Sequence, residues 1–245
     1  MQHRGDIDGL RAIAVILILF FHLRLINVPG GFIGVDVFFV ISGFLITNLI
    51  IRDVTKSEFS FGRFYIRRLR RLGPALLVTL AITLLVGWFI LPPNLYQETA
   101  QAAFASVASV SNFYFWQQAD YFDTAAAYKP LLHTWSLGVE EQFYLLWPAL
   151  LLLGTKFLSK TGLLAALIIV SLISLALSEA LLSQHASAAF FLTPFRIYEL
   201  SIGAILAVGG WQARGPIAAN AASVVGFSSF CMWPRHTQIK RHFLA

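Results

Sequence analysis

Long apolar runs separated by short polar segments dominate the 245-residue chain. A helix needs roughly 20 mostly apolar residues to cross the hydrocarbon core of a bilayer. Seven runs approach that length, and they predict spans at about 10–28, 33–51, 73–91, 133–154, 162–182, 195–210 and 216–233. The pattern therefore predicts an all-α fold, a polytopic transmembrane helical bundle. The apolar run near Met1 lacks a cleavage site and is interpreted as an uncleaved first span.

Positive charge sets the expected orientation. The segment 52–72 carries seven basic residues, and basic residues concentrate in cytoplasmic loops. We therefore expect the N-terminus in the cytoplasm and 92–132 outside. The run AQAAFASVASVSNFYFW at 100–116 is short and rich in Ala and Ser. If it crossed, Lys156 and Lys160 would face outward, so the charge rule favours a re-entrant or interfacial helix within an extracytoplasmic loop.

Composition supports the membrane class. The chain is 58% hydrophobic and 12% charged, with a net charge of +6, whereas soluble domains carry about 25% charged residues. Its single cysteine, Cys231, excludes an internal disulfide and a cysteine-based metal site. We expect no metal and no nucleic-acid partner.

The first predicted span contains two cation-forming side chains, Arg11 and His22. Eleven residues at about 100° each bring both to one face, roughly 16 Å apart along the axis. Arg11 is either a snorkelling anchor or an anion ligand at the cytoplasmic mouth. His22 is either a packing hydrogen-bond partner or a general base deep in the membrane.

Further polar residues interrupt the apolar runs. Arg68 and Arg71 share a helical face; five arginines and no lysine at 63–71 favour phosphate recognition over a plain positive-inside anchor. Ser42–Gly43 is equally typical of close helix packing and of a site, and Asp36 either pairs with a cation or lies at the interface.

The segment LLHTWSLGVEEQFYLLWP brings His133, Glu140, Glu141 and Tyr144 into one span. Glu140 and Tyr144 share a face at i,i+4. Adjacent acids in a span are costly, so one should face a wet cavity or a cation unless both lie at the outer interface. Arg196 and Glu199, at i,i+3, are typical of a structural ion pair.

Together these motifs resemble the acyltransferase-3 family of bacterial membrane O-acyltransferases. The resemblance covers residues 5 to about 210 and is carried by Arg11-x10-His22, FFVISGFLI, Arg68-x-x-Arg71 with Pro74, SNFYFW…DYFD and HTWSLGVEEQFYLLWP. The nearest branch modifies lipopolysaccharide O-antigen and other envelope polysaccharides.

The resemblance implies a ten-span core in the bacterial inner membrane, an acyl-CoA donor, usually acetyl-CoA, and a glycan hydroxyl as acceptor. It implies catalytic roles for His22 and Glu140, and donor binding by Arg11, Arg68 and Arg71. The chain is expected to be a single acyltransferase domain, 1–245, incomplete at its C-terminus with about seven spans. A proton-coupled transporter and an inactive truncated fragment are the alternatives.

Overall fold

The computed structural model describes residues 5–23, 31–119 and 128–210. These ranges contain nine α-helices and no strand, and the predicted all-α fold is confirmed. The helices are α1 Gly5–Leu23, α2 Ile33–Thr55, α3 Phe61–Ile90, α4 Pro93–Val107, α5 Ser111–Ala119, α6 Thr134–Phe157, α7 Lys160–Leu182, α8 Ala186–Phe191 and α9 Ile197–Gly209, with a 3₁₀ turn at Thr193–Phe195. The predicted span at 216–233 lies outside the described residues.

Three of the described helices, α2, α3 and α7, are long and apolar enough to cross a membrane, and α9 is a shorter apolar helix. Leu, Ile and Val side chains cover the exposed faces of α3 and α7. Such faces are stable against lipid, which is as apolar as they are. The chain is therefore a membrane protein; the seven-span count remains a prediction.

Helix α3 corrects one predicted boundary. A span was expected to begin at about residue 73, but the helix begins at Phe61 and continues through Pro74. The arginine block therefore lies in the first turns of this helix, which agrees with the shared helical face predicted for Arg68 and Arg71. Hydropathy locates only the apolar part of a helix, and one missing N–H at a proline is tolerated in a long membrane helix.

Side-chain contacts fix the directions of the helices. Ser42 and Thr47 of α2 bond to Glu140 and Trp147 of α6, so these two helices run parallel. Arg196, just before α9, meets Asp36 near the start of α2, so α9 runs the same way. Helices α1, α3 and α7 run opposite to them. The bundle therefore has two ends. The basic end carries residues 52–72, Lys156 and Lys160, and the histidine end carries His22, His133 and His185.

Helices α2 and α9 pack backbone against backbone. A Cβ added at Gly43 would lie 2.0 Å from the Leu200 carbonyl oxygen, and one at Gly203 would lie 2.0 Å from that of Val40. Only glycine allows this approach, so Gly43 has the helix-packing role. Its neighbour Ser42 points elsewhere and has a different role, described below.

Helices α4 and α5 form a hairpin at the histidine end. Residues 100–116 do not form one helix, because the chain turns at Ser109, where φ is 58°. The hydroxyl of Tyr114 donates to the carbonyl oxygen of Glu98 at 2.9 Å, which pairs the two helices. The Gln142 amide of α6 donates to the Ser109 carbonyl at 3.0 Å and holds the tip of the hairpin. That this hairpin is extracytoplasmic remains a prediction.

Candidate active site

A carboxylate clamp lies between the two ends of the bundle. The Ser42 hydroxyl donates to Oε1 of Glu140 at 2.8 Å, and the Tyr144 hydroxyl donates to Oε2 at 3.0 Å. The predicted i,i+4 relation of Glu140 and Tyr144 is thus confirmed. Both oxygens of the carboxylate have a donor, which lets a charged side chain persist among apolar helices.

Arg68 of α3 completes this group. Its guanidinium carbon lies 3.5 Å above the centre of the Tyr144 ring, in a cation–π contact. The positive charges of Arg68 and Arg11 lie close enough to interact with the Glu140 carboxylate. We call Ser42, Arg68, Glu140, Glu141 and Tyr144 the Glu140 cluster.

The Glu140 cluster keeps unused hydrogen-bonding capacity. Nε of Arg68 and Oε1 of Glu141 are both buried, and neither has a hydrogen-bond partner among the described residues. An unpartnered buried donor and acceptor each cost free energy. Because the charges of Arg68 and Glu141 also interact, this unpartnered donor and acceptor lie in one region of the bundle.

The two arginines of the Arg-x-x-Arg motif have different environments. Arg68 is partly buried inside the Glu140 cluster, whereas Arg71 is exposed on α3. The neighbouring Arg67 is bound to Asp53 of α2 at 2.9 Å, and Arg52 is bound to the same carboxylate at 3.0 Å. Asp53 therefore joins α2 to α3 at the basic end and neutralises part of the arginine block. Arg71 keeps its charge accessible.

The structure places Arg11 and His22 at different depths and in different surroundings. Arg11 is partly buried and near the Glu140 cluster. His22 is exposed in the last turn of α1, so among the described residues its side chain is not enclosed as a residue deep inside the bundle would be. Helix α1 packs on α2 through the face next to Gly31 and Gly34, and the imidazole lies beside that contact instead of inside it.

The contact of the His22 imidazole with the main chain defines the tautomer of its neutral ring. Its Nδ1 lies 2.9 Å from the carbonyl oxygen of Ile18. A carbonyl can only accept, so Nδ1 carries the proton and Nε2 keeps the lone pair in the neutral ring. Glu140 does not orient this ring in the described contacts, because Ser42 and Tyr144 take its two oxygens.

The sequence motifs assigned no function to His133, but the fold brings this residue close to His22. The two imidazoles lie close enough for their charges to interact. No spacing rule predicts this pair, because the partners lie 111 positions apart (133 minus 22) on α1 and next to α6. The only sequence signal was a histidine at the boundary of an apolar run.

A second buried charge cluster surrounds Arg196, as expected for a structural ion pair. Its Nη1 donates to Oε1 of Glu199 at 2.7 Å and to Oδ1 of Asp36 at 3.2 Å. Its Nε donates to the Phe190 carbonyl at 3.0 Å, and the ring of Trp135 lies 5.5 Å away. The predicted pairing of Arg196 with Glu199 is confirmed, and Asp36 pairs with a cation. We call Asp36, Arg196 and Glu199 the Arg196 cluster.

Fold and site together define a helical membrane protein that holds charged side chains inside its bundle. Residues 4–239 match the family model described as an acyltransferase domain, Acyl_transf_3, and the chain belongs to that family.

Named relatives are similar to most of the chain. Peptidoglycan O-acetyltransferase OatA of Listeria monocytogenes is 42% identical over 166 residues, which are 67% of this chain and 26% of the relative. O-acetyltransferase OatA of Staphylococcus aureus is 41% identical over 210 residues, 84% of this chain and 34% of the relative. The chain thus spans about a quarter to a third of the relatives' length. No solved structure matches.

Proposed function

We propose that this chain is an integral-membrane O-acyltransferase that moves an acyl group, most simply acetyl, from cytoplasmic acyl-CoA to a hydroxyl of a cell-envelope glycan. The observation that carries the proposal is the Glu140 cluster. It lies between an arginine-rich end suited to a polyanionic donor and a histidine end suited to base catalysis. Membership of the acyltransferase family supports the reaction class.

The donor enters at the basic end. Its phosphates bind Arg71, which is exposed and whose guanidinium has the forked geometry that suits phosphate oxygens. The thin pantetheine arm then extends toward Arg11 and Arg68. Its amides can accept from the buried Nε of Arg68 and donate to Oε1 of Glu141, the two atoms without a described partner.

His22 is the general base. With the proton of its ring held on Nδ1 by Ile18, Nε2 removes the proton of the glycan hydroxyl as the oxygen attacks the thioester carbonyl. A C–O ester bond forms and the C–S bond of the thioester breaks. The proton passes from the imidazolium to the departing thiolate. Atoms and charges balance without a further reactant.

The names of the relatives favour a different acceptor glycan from the one that the sequence motifs predicted. The motifs suggested the branch that acts on lipopolysaccharide O-antigen, whereas a relative at 42% identity is named a peptidoglycan O-acetyltransferase. We therefore favour peptidoglycan as the glycan. The localisation that follows is the bacterial cell membrane, with the bundle spanning it several times.

Replacement of His22 by alanine tests the reaction. Purified protein in nanodiscs is given acetyl-CoA and a soluble glycan, and free thiol is measured with time. We expect His22→Ala to lower acyl transfer at least about 100-fold, because general-base catalysis contributes roughly 10²–10⁴-fold. His185→Ala is the control, since His185 is exposed at the same end. Equal transfer by His22→Ala and wild type overturns the assignment.

A further inference from the structure

The exposed face of α4 changes from polar to apolar along the length of the helix. Its outward positions are Gln97 and Gln101, then Phe104 and Val107, which recur every three or four residues and so lie on one face. Phe104 is 77% exposed and Val107 is 58% exposed. An amphipathic helix that lies flat on a membrane changes polarity across its width. A change along the length indicates that the end of α4 enters an apolar region.

The return arm of the hairpin repeats this change in reverse. Val110 and Phe113 are 41% and 40% exposed at the start of the arm, and the exposed residue one turn further along α5 is Gln117. The sequence has no charged residue between Glu98 and Asp120. Both arms therefore have a polar base and an apolar end. We call these apolar ends the hairpin tip, which consists of Phe104, Val107, Val110 and Phe113.

We propose that the α4–α5 hairpin is re-entrant and that the hairpin tip binds the acyl chains of membrane lipid in the leaflet at the histidine end. The sequence left a re-entrant and an interfacial helix open for this segment. The polarity change on both arms selects re-entry. Because Gln142 holds the turn of the hairpin and lies two residues beyond Glu140, lipid anchoring of the tip keeps the hairpin beside the part of α6 that carries the Glu140 cluster.

Contacts with α6 give the depth of the tip. The Gln142 amide donates to the Ser109 carbonyl at 3.0 Å, and a Cβ added at Gly138 would lie 3.0 Å from Oδ1 of Asn112. Gln142 precedes Lys156, at the basic end, by 14 residues (156 minus 142), which is about 21 Å along the helix. With Lys156 at one surface of a hydrocarbon core about 30 Å thick, the turn at Ser109 lies up to about 9 Å inside the other surface.

The base of the hairpin lies at the surface where α3 ends. Helix α3 advances by 20 residues from Arg71 to Leu91 (91 minus 71), which is about 30 Å and matches the hydrocarbon thickness. In the first turn of α4, the ring of Tyr96 packs edge-on against that of Trp88 at 5.5 Å. Helix α4 therefore folds back beside the last turn of α3 instead of continuing away from the membrane.

The turn between the arms meets the requirement for backbone inside a bilayer, where polar groups must be bonded within the protein. The N–H groups of Ala108, Ser109 and Val110 donate to carbonyl oxygens in the last turn of α4, at distances between 2.9 and 3.1 Å. The Ser109 carbonyl accepts from Gln142. The chain therefore reverses direction at this depth with these backbone groups satisfied.

Acyl chains fit this surface better than water or a protein partner. Lipid tails are as apolar as the four side chains of the tip, and their contact needs no matching hydrogen bond. A stable protein partner uses about 20–30 residues a side, whereas the tip offers four exposed apolar side chains. Water would hydrate all four at a cost in free energy.

Spin labels on single cysteines test this arrangement. Cys231 is the single cysteine of the chain, so Cys231→Ser gives a background for one label at a time in phosphatidylethanolamine–phosphatidylglycerol vesicles. Val107→Cys and Val110→Cys report on the tip, and Gln97→Cys and Gln117→Cys, exposed on the same arms, are matched controls. Power saturation measures collisions with oxygen, which concentrates in hydrocarbon, and with a water-soluble nickel chelate.

We expect the oxygen-to-nickel collision ratio at Val107 and Val110 to exceed that at Gln97 and Gln117 severalfold. It should approach the ratio at Leu77→Cys, an exposed position in the apolar part of α3. Each arm has its own tip label, so the loss of one variant to misfolding leaves a complete comparison on the other arm.

Three results overturn the proposal. Equal ratios at all four hairpin positions mean that the hairpin lies flat at the interface. High nickel accessibility at the tip means that the tip lies in water. Low accessibility to both reagents means that protein, from another segment or a second copy of the chain, covers the tip in place of lipid.

Discussion

Two groups of buried charges lie in the same bundle and have opposite characters. In the Arg196 cluster, the guanidinium donates to two carboxylates and a backbone carbonyl, and the aromatic rings of Trp135 and Phe190 cover it. In the Glu140 cluster, the carboxylate has two donors, but buried atoms of Arg68 and Glu141 have no partner in the described part of the chain.

We infer that the charges of the Arg196 cluster are structural, whereas those of the Glu140 cluster belong to the proposed site. A buried ion costs several kcal/mol of desolvation that only good pairing offsets. The Arg196 guanidinium uses its hydrogen bonds to hold α2 to the start of α9. The Glu140 cluster holds α2 to α6, and its Arg68 and Glu141 contribute the donor and the acceptor that the proposed function assigns to the substrate.

The sharpest test of this contrast is Arg196→Ala. It removes the cation from the buried Glu199 carboxylate and from the partly exposed Asp36 carboxylate, and we expect about 3–5 kcal/mol of lost unfolding free energy. Thermal unfolding in detergent and the yield of folded protein measure it. Arg67→Ala, which breaks a half-exposed pair with Asp53, should cost at most about 1 kcal/mol. If both variants unfold at the wild-type temperature, the structural assignment of Arg196 is wrong.

Glu140→Gln should have the opposite effect to Arg196→Ala: a small change in stability and a large loss of turnover. The amide keeps one acceptor oxygen and the shape of the side chain, so unfolding should change little. Turnover of acetyl-CoA should fall about 100-fold, because the carboxylate charge near Arg68 and Arg11 is lost. Glu179→Gln, on the exposed part of α7, is the control. A variant that loses stability but retains turnover would reverse the roles of the two clusters.

The two arginines of the Arg-x-x-Arg motif should also differ in the kinetic effects of their replacement. Arg71→Ala should weaken acetyl-CoA binding about tenfold with turnover at saturating donor unchanged, since one phosphate contact is lost. Arg68→Lys keeps the charge but not the planar group over Tyr144, so it should lower kcat more than it raises KM. Arg63→Ala, exposed on the same helix, controls for general charge. Identical KM and kcat changes in both variants would contradict the division.

The smallest effect is expected from Tyr144→Phe. The ring remains under Arg68 while the hydroxyl on Glu140 is removed, which costs about 1 kcal/mol. Tyr65→Phe is a matched control, because the Tyr65 hydroxyl donates to the backbone carbonyl of Leu145 at 2.8 Å and not to the Glu140 carboxylate. Turnover should fall severalfold in Tyr144→Phe and stay constant in Tyr65→Phe. Equal turnover in both would remove Tyr144 from the site.

Much of the fold was predictable because its causes are local. Apolar runs of span length predicted the helices, and the charge pattern argued against one span through 100–116, which the fold breaks at Ser109. Glu140 with Tyr144, and Arg196 with Glu199, were predictable because residues three or four apart meet on a helix. The start of α3 was missed because hydropathy does not register a basic helical turn.

The sequence by itself determined the class of protein, the helices and the polar residues that interrupt them, since hydropathy and helical period act over a few turns. Only the tertiary structure decided which of those residues meet. Ser42 reaches Glu140 across 98 positions, and Asp36 reaches Arg196 across 160. Such pairs depend on how whole helices pack, and no local pattern encodes that choice. For Asp36 and Arg196 the packing is the glycine contact of α2 with α9. The same packing left His22 exposed beside His133.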